Sequence, residues 1–334
     1  MKKLLAIMMV LAMLMVSMTA VASAEGKPLK IGYYGLSPTQ AFFKQIWESI
    51  DAHCKERGYE LVSFYTDADP AKMRSAYDQM VTQQVDCIID GNAYADIILP
   101  FAEQSVANGI NYIACFVTYD NPEIYTFGPS NVDMGIASGT YLGNIVKDEW
   151  GGQVDLILEC GTFSAGADIT VRLTSGADTL GTIVDTSKAE ILQLDVPSGN
   201  MSAAYQLVMD ALTAHPNMKT VIFCQTDDIA SSAFAAVEAA GQGENVVGVG
   251  NDCVDAAQEY WATAIKEDNL KVPWRGSVYL DTYAYGGLLV DMAESIVAGK
   301  QEEHAVVAPA VIGGLGNWEE LWPDLLERDF SSAS

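Results

Sequence analysis

The chain has 334 residues, half of them hydrophobic, with 44 Asp and Glu against 18 Lys and Arg and a formal charge of -26. So acidic a surface makes nucleic acid and anionic lipid poor partners, because both are repelled before contact. The apolar content is too high for a disordered chain, and the length suits about two ordinary domains.

In chain order, Lys2 and Lys3 precede an apolar and small-residue run from Leu4 to Met18, which closes on Ala22-Ser23-Ala24. This is the pattern of a secretory signal cut after Ala24, before Glu25. The run is shorter than the ~20 residues a spanning helix needs, and no later run is longer, so no membrane insertion is expected after cleavage. The mature chain is expected to be soluble and periplasmic or secreted, with a charge of -28 once Lys2 and Lys3 are lost. No cysteine stands at the cleavage site, which argues against a lipid anchor.

From Leu29 onward short apolar runs alternate with longer amphipathic stretches, the signature of parallel strands with crossover helices. The runs 29–35, 60–66, 86–91, 111–117 and 124–130 read as strands, with helices over 42–57, 70–84 and 95–108. A second set follows: a helix over 131–150, then strands at 154–161, 190–195, 220–225 and 245–251 alternating with helices over 167–181, 201–214 and 229–240. Asp69 before Pro70, and Asp227-Asp228, supply caps at helix starts, while Gly58, Gly109 and Gly241 stand where helices should stop. The expectation is an α/β chain of two similar, doubly wound parallel-sheet lobes.

Motifs for chemistry are scarce. His53, His215 and His304 lie apart, with no second ligand at zinc spacing, so no metal site is expected. GTFSAG at 161–166 lacks the spacing of a nucleophile elbow, and no glycine-rich phosphate loop or dinucleotide fingerprint follows a strand. Neither an enzyme nor a cofactor is expected. Cys87, Cys115 and Cys224 fall in apolar runs, so most of the six cysteines are expected to be buried free thiols.

Ligands of open parallel sheets bind beyond the carboxyl ends of the strands. The first half presents Tyr34, Ser37, Gln40, Phe42 and Phe43 there, then Asp90, Gly91 and Asn92, then Phe116 to Tyr119. The second half presents Thr162 to Asp168, Phe163 among them, with Arg172, then Thr226 to Asp228, then Asn251 and Asp252. Two such rims face to face make a cleft.

Three stretches carry a resemblance: KIGYYGLSPTQAFFKQIWESIDAHCKERGYEL, DADPAKMRSAYDQMVTQQVDCIIDGN, and TAHPNMKTVIFCQTDDIASSAFAAVEAAG followed by VVGVGND. In order and spacing they resemble the type I periplasmic binding proteins of sugar ABC transporters, the ribose- and galactose-binding group that shares its fold with LacI-type repressor cores. The resemblance covers essentially the whole mature chain. It implies two lobes, 25–129 with 279–303 and 130–278 with 304–334, joined by three crossings near Ser130, Val278 and Glu303. It implies a monomer that captures a small ligand, most readily a sugar, closes by a hinge and delivers it to a permease.

The same resemblance makes Phe42 and Phe43 the pair against the ligand ring and Gln40 the polar position before them. Thr226 and Asp227 stand where the family commonly has Asn-Asp, Asn251 where it commonly has Asp, and Arg172 near its arginine. Tyr34, Asn92, Phe163 and Val278 complete the expected ligand set. The departure is Phe116-Val117, where sugar binders often carry a polar pair such as Asp-Arg. A cationic or partly apolar ligand therefore competes with a sugar, since carboxylates with aromatic walls also suit an ammonium group. A receptor for a chemoreceptor or sensor kinase is the competing role. Plainer readings stand beside these: one of Phe42 and Phe43 in the core, Asp228 as a cap, Arg172 in a salt bridge, and Trp318 and Trp322 packing the C-terminal segment.

Overall fold

The computed structural model describes residues 27–331 apart from 68, 93, 94, 118, 120, 198 and 199. The signal segment and its cleavage point lie outside the described residues. Strand β1 (Lys30–Gly35) leads to α1 (Ala41–Arg57), then β2 (Glu60–Tyr65), α2 (Pro70–Thr82), β3 (Cys87–Gly91), α3 (Ala95–Ala107), β4 (Asn111–Cys115) and β5 (Tyr125–Gly128). The second set runs α4 (Asn131–Trp150), β6 (Leu156–Gly161), α5 (Ala167–Ile183), β7 (Glu190–Asp195), α6 (Ala203–Ala214), β8 (Thr220–Cys224), α7 (Asp227–Ala239), β9 (Val246–Asp252), α8 (Asp255–Lys266) and β10 (Trp274–Tyr279). The chain ends with α9 (Thr282–Val297), β11 (Ala305–Val307), β12 (Val311–Gly314) and α10 (Trp318–Leu321).

Two six-stranded sheets result, in the orders β11-β5-β4-β3-β1-β2 and β12-β10-β9-β8-β6-β7. All pairings are parallel except β10 with β12. Every residue of β3, β8 and β9 is buried, as central strands covered by helices on both faces require. The caps act locally: Asp69 accepts from the Ala71 amide at 2.7 Å with Pro70 opening α2, and Gly58, Gly109 and Gly241 take φ of 70°, 72° and 65° after helices. At α7 the capping residue is Thr226, whose Oγ1 accepts from the Ile229 amide at 3.4 Å, and the helix begins at Asp227, two residues earlier than the sequence reading.

Helix α8 and strand β10 go beyond the elements read from sequence. WRGSVY lacks a continuous apolar run because Arg275 and Gly276 interrupt it, yet Arg275 is buried and pairs with Glu149 at 2.7 Å. The third crossing also differs from expectation. Residues 305–307 pair with β5 in the first sheet, and only 311–314 join the second, so the crossing falls at 308–310 instead of near Glu303. The boundary near Glu303 came from the resemblance; the apolar Ala305–Val307 stretch instead supplies the edge strand of the first sheet. At the C-terminus Trp322 is buried and stacks on Trp261 with centroids 5.8 Å apart, which is a packing role. All six cysteines are buried free thiols.

The densest contact between elements joins α4 to α5. Gly135, Gly139 and Gly143 recur every fourth residue along α4 and lie against Gly176, Thr179 and Ile183 of α5. A Cβ on Gly139 would collide with the Gly176 carbonyl oxygen and stand 2.7 Å from Thr179 Cβ, whereas one on Gly143 would meet the Ile183 side chain at 2.7 Å. The first obstacle is backbone and cannot turn away. Gly139→Ala should therefore destabilise the fold by about 1 to 3 kcal/mol, and by more than Gly143→Ala, in urea unfolding. Equal effects of the two substitutions would mean that the backbone contact does not limit the packing.

Candidate ligand cleft

On the first lobe, Gln40 is the residue before α1 and makes no side-chain cap bond. Phe42 and Phe43 follow, both buried, with their rings edge to face at 5.3 Å; Phe42 meets Phe116 in the same manner at 5.2 Å. Phe116 takes a left-handed φ of 65° directly after β4, which swings its ring over the end of β5 against Gly128. These three rings share one apolar cluster with Val278 and Leu280, at the second crossing. Phe42 and Phe43 thus belong to a core that reaches the junction between the lobes.

Beside them lies a buried polar chain. The Asp90 carboxylate accepts from the Asn92 amide at 2.9 Å, from Asn92 Nδ2 at 2.6 Å and from the Tyr112 hydroxyl, while the Thr66 hydroxyl donates to Asn92 Oδ1. Asn92 is therefore already committed within its own lobe. Tyr34 sits in the core cluster under α2 and α3 with Met73 and Tyr77, and its buried hydroxyl has no partner among the described residues; the same holds for the hydroxyl of Tyr33.

On the second lobe, Arg172 is buried on the second turn of α5. Its Nε donates to Asn131 Oδ1 at 3.0 Å and its Nη1 to the Gln225 carbonyl at 3.1 Å. Burial lowers its pKa to about 10, which leaves it a cation at neutral pH. Asp227 is fully buried: Oδ1 accepts from the Ser277 hydroxyl at 2.6 Å and Oδ2 from the Val254 amide at 3.0 Å. Both of its oxygens are thus spent on tying β10 and the end of β9 to α7, and burial raises its pKa. Burial likewise raises the carboxyl of Asp252, which Arg172 pulls back, and that of Asp228. Asn251 donates to the Cys224 carbonyl at 2.8 Å, and its buried Oδ1 has no partner among the described residues. The Phe163 amide donates to Asp195 at 3.0 Å just after β6.

The structure thus brings Phe42, Phe43, Phe116 and Val278 together on one side, and Arg172, Thr226, Asp227 and Asn251 at the strand ends of the second sheet. Asn131, Gln225 and Ser277 escaped the sequence reading. Gln225 directly follows β8 between Cys224 and Thr226, Ser277 stands in β10 between Gly276 and Val278, and Asn131 follows the crossing; a lone carboxamide or hydroxyl in such a setting announces nothing without its partners. A groove of about 360 Å³ is bordered by Phe116, Gly128, Asn131, Val132, Asp168 and Val307 among others. Of the ligand residues expected from sequence, only Phe116 borders it. Among the described residues no group of three or more His, Cys, Asp or Glu could hold a metal ion, and no helix is long and apolar enough to cross a membrane.

Burial pushes the Asp90 carboxyl up from 3.8 to about 6 despite its hydrogen bonds. A raised folded-state pKa means that the protonated form is favoured in the fold. Its contribution is fully present below the unfolded value and is lost as pH rises through the folded one. Asp90→Asn should remove this slope: its stability relative to wild type rises between pH 4 and pH 7 by about 3 kcal/mol and then levels off, as urea melts can read. A pH-independent difference between the two proteins would mean that Asp90 titrates normally.

Residues 31–301 match the periplasmic binding protein domain family. No curated protein matches the chain in sequence. Among solved structures, an ABC sugar transporter subunit from Rhodobacter sphaeroides superposes with a TM-score of 0.72 at 19% identity, covering 86% of this chain and 99% of that one. A solute binding protein of an ABC transporter from Bacillus halodurans, with bound myo-inositol, gives 0.74 at 17% identity, over 90% and 99% of the two chains. A galactofuranose binding protein gives 0.75 at 16% identity, again over 90% and 99%. With two parallel-dominated sheets, flanking helices and a family match over most of its length, the chain belongs to the periplasmic binding proteins and has their type I fold.

Proposed function

We propose that this protein is an extracytoplasmic receptor that captures a sugar or polyol between its lobes, closes on it by a hinge and hands it to an ABC transporter permease. The observation that carries the reading is the junction itself. In the first lobe the rings of Phe42 and Phe116 meet edge to face, Asn131 joins the Phe116 carbonyl to the buried cation Arg172, and Asn251 keeps a buried acceptor with no partner among the described residues. A polyol asks for apolar faces against its C–H groups and for donors and acceptors around its hydroxyls. Solved neighbours of the same fold carry myo-inositol or are named for galactofuranose, which supports that class. The cationic alternative loses its best counter-charge, because Asp227 spends both oxygens inside its own lobe. In this reading the protein works as a monomer, is not a catalyst and needs no cofactor or metal. In the same reading one lobe is 25–129 with 279–307 and the other 130–278 with 308–334, the pairing of 305–307 with β5 supporting the shift of the last boundary.

Phe42→Ala should weaken binding of the preferred ligand by about 1 to 3 kcal/mol, as loss of a buried aromatic contact does. Titration against myo-inositol, pentoses, hexoses, nucleosides and small amines at two ionic strengths should find tight, salt-insensitive binding of a neutral compound. Tight binding of an amine that weakens with salt would overturn the polyol reading. Saturating ligand should also shrink the radius of gyration in small-angle scattering and raise the melting temperature; an unchanged radius would contradict hinge closure. N-terminal sequencing of the exported protein should begin at Glu25, and an intact Met1 would remove the extracytoplasmic assignment.

A further inference from the structure

Asn131 is the first residue of α4 and stands in the first crossing, two residues beyond Pro129. Its carboxamide is spent in both directions. Nδ2 donates to the Asp168 carbonyl at 2.8 Å and to the Phe116 carbonyl at 3.4 Å, and Oδ1 accepts from Arg172 Nε at 3.0 Å and from Nη2. Phe116 belongs to the first lobe and Asp168 and Arg172 to the second. One side chain therefore touches the left-handed turn that aims the Phe116 ring, the start of α5, and the guanidinium. We infer that Asn131 is a positioning residue: it holds Arg172 in its pose at the cleft and couples that pose to the first lobe through Phe116.

The chemistry of the side chain fits this task and few substitutes would. Two carbonyl oxygens converge on Nδ2, so the position needs a donor there, and the guanidinium needs an acceptor beside it; only an amide supplies both on one short stem. An Asp at 131 would lose both donors, turn a carboxylate toward two carbonyls and neutralise Arg172 by a direct ion pair. A neutral acceptor fixes the guanidinium and leaves its charge for the ligand. With Nη1 on the Gln225 carbonyl, three of the five guanidinium N–H groups are spent on protein, all on neutral oxygens, and two stay available. The carboxylate that acts on Arg172 electrostatically is Asp252. The backbone is set as closely as the side chain. A Cβ on Gly135, one turn along α4 from Asn131, would stand 2.5 Å from the Arg172 carbonyl, so the two residues have little room to slide past each other.

This inference rests on the reading of the cleft as a ligand site, and its test has one arm that needs no ligand. In the ligand-free protein, the nitrogen NMR signal of Arg172 Nε–H, identified by its loss in Arg172→Lys, should exchange slowly with water. In Asn131→Ala it should exchange at least tenfold faster while the melting temperature stays near that of wild type. Asn131→Ser, a residue at home in a first helical turn, serves if the alanine variant folds poorly and should show the same acceleration. Unchanged exchange in a folded variant would overturn the inference. The second arm uses myo-inositol or, should it not bind, the tightest pentose or hexose of the panel. Asn131→Ala should weaken binding about tenfold in the wild-type background and less than twofold with Arg172→Lys, the non-additivity expected when one residue acts through another. Equal losses in both backgrounds would overturn action through Arg172. If no sugar or polyol binds, the proposed function fails, and the exchange measurement still decides the role of Asn131.

Discussion

The backbone contact between α4 and α5 is the constraint on which the cleft depends. Helix α4 leaves the first crossing carrying Asn131, and α5 leaves β6 carrying Arg172, so the two helices must lie close and in one register for the side chains to meet. Glycines at 135, 139 and 143 remove the side chains that would hold the axes apart, while Gly176 of α5 makes room for the Phe223 ring of β8. Glycine costs about 1 kcal/mol each in a helix interior relative to alanine. That three occur on one face of a twenty-residue helix marks the approach as a requirement of packing, since propensity alone opposes it.

From this contact the electrostatics of the second lobe follow. Arg172 and Arg275 are both buried, but they are satisfied differently. Arg275 is clamped by Glu149 through two hydrogen bonds of 2.7 and 2.8 Å, far from the strand ends that face the first lobe. Among the described residues Arg172 donates only to neutral carbonyl oxygens. A buried ion pair is a finished structure, whereas a buried cation held by amides and carbonyls still attracts an acceptor. The carboxylates divide in the same way: Asp227 is a tie between α7, β9 and β10, and Asp252, with a φ of 113° at the end of β9, faces Arg172 electrostatically.

Much of the fold was legible because parallel strands buried on both faces are written as short apolar runs, and because helix ends are punctuated by Asp69-Pro70 or by Gly58, Gly109 and Gly241. What escaped had mixed composition. Strand β10 hides Arg275 and Gly276 inside an apolar frame, and β11 is three residues at an edge, too short to stand out. Of the site, the sequence offered a set of candidate positions near strand ends, Phe42, Phe116, Arg172 and Asn251 among them. Their employment was not legible, because it depends on partners distant in sequence. Asp227 looked like a free carboxylate until Ser277 and Val254 filled it, Asn92 looked free until Thr66 and Asp90 claimed it, and Asn131 showed nothing until Phe116 and Arg172 came to either side of it.

The late return of the chain to the first lobe has a consequence for biosynthesis. Helix α9, which covers α1, and β11, which closes the edge beside β5, come from residues 282–307 of 334, after nearly all of the second lobe. The first five strands emerge early but lack their covering helix and their last partner until almost the whole polypeptide is made. Folding one lobe after the other, the usual course for a chain growing from its N-terminus, is closed to this topology. The order of elements itself delays completion of the N-terminal unit until the C-terminal one has arrived.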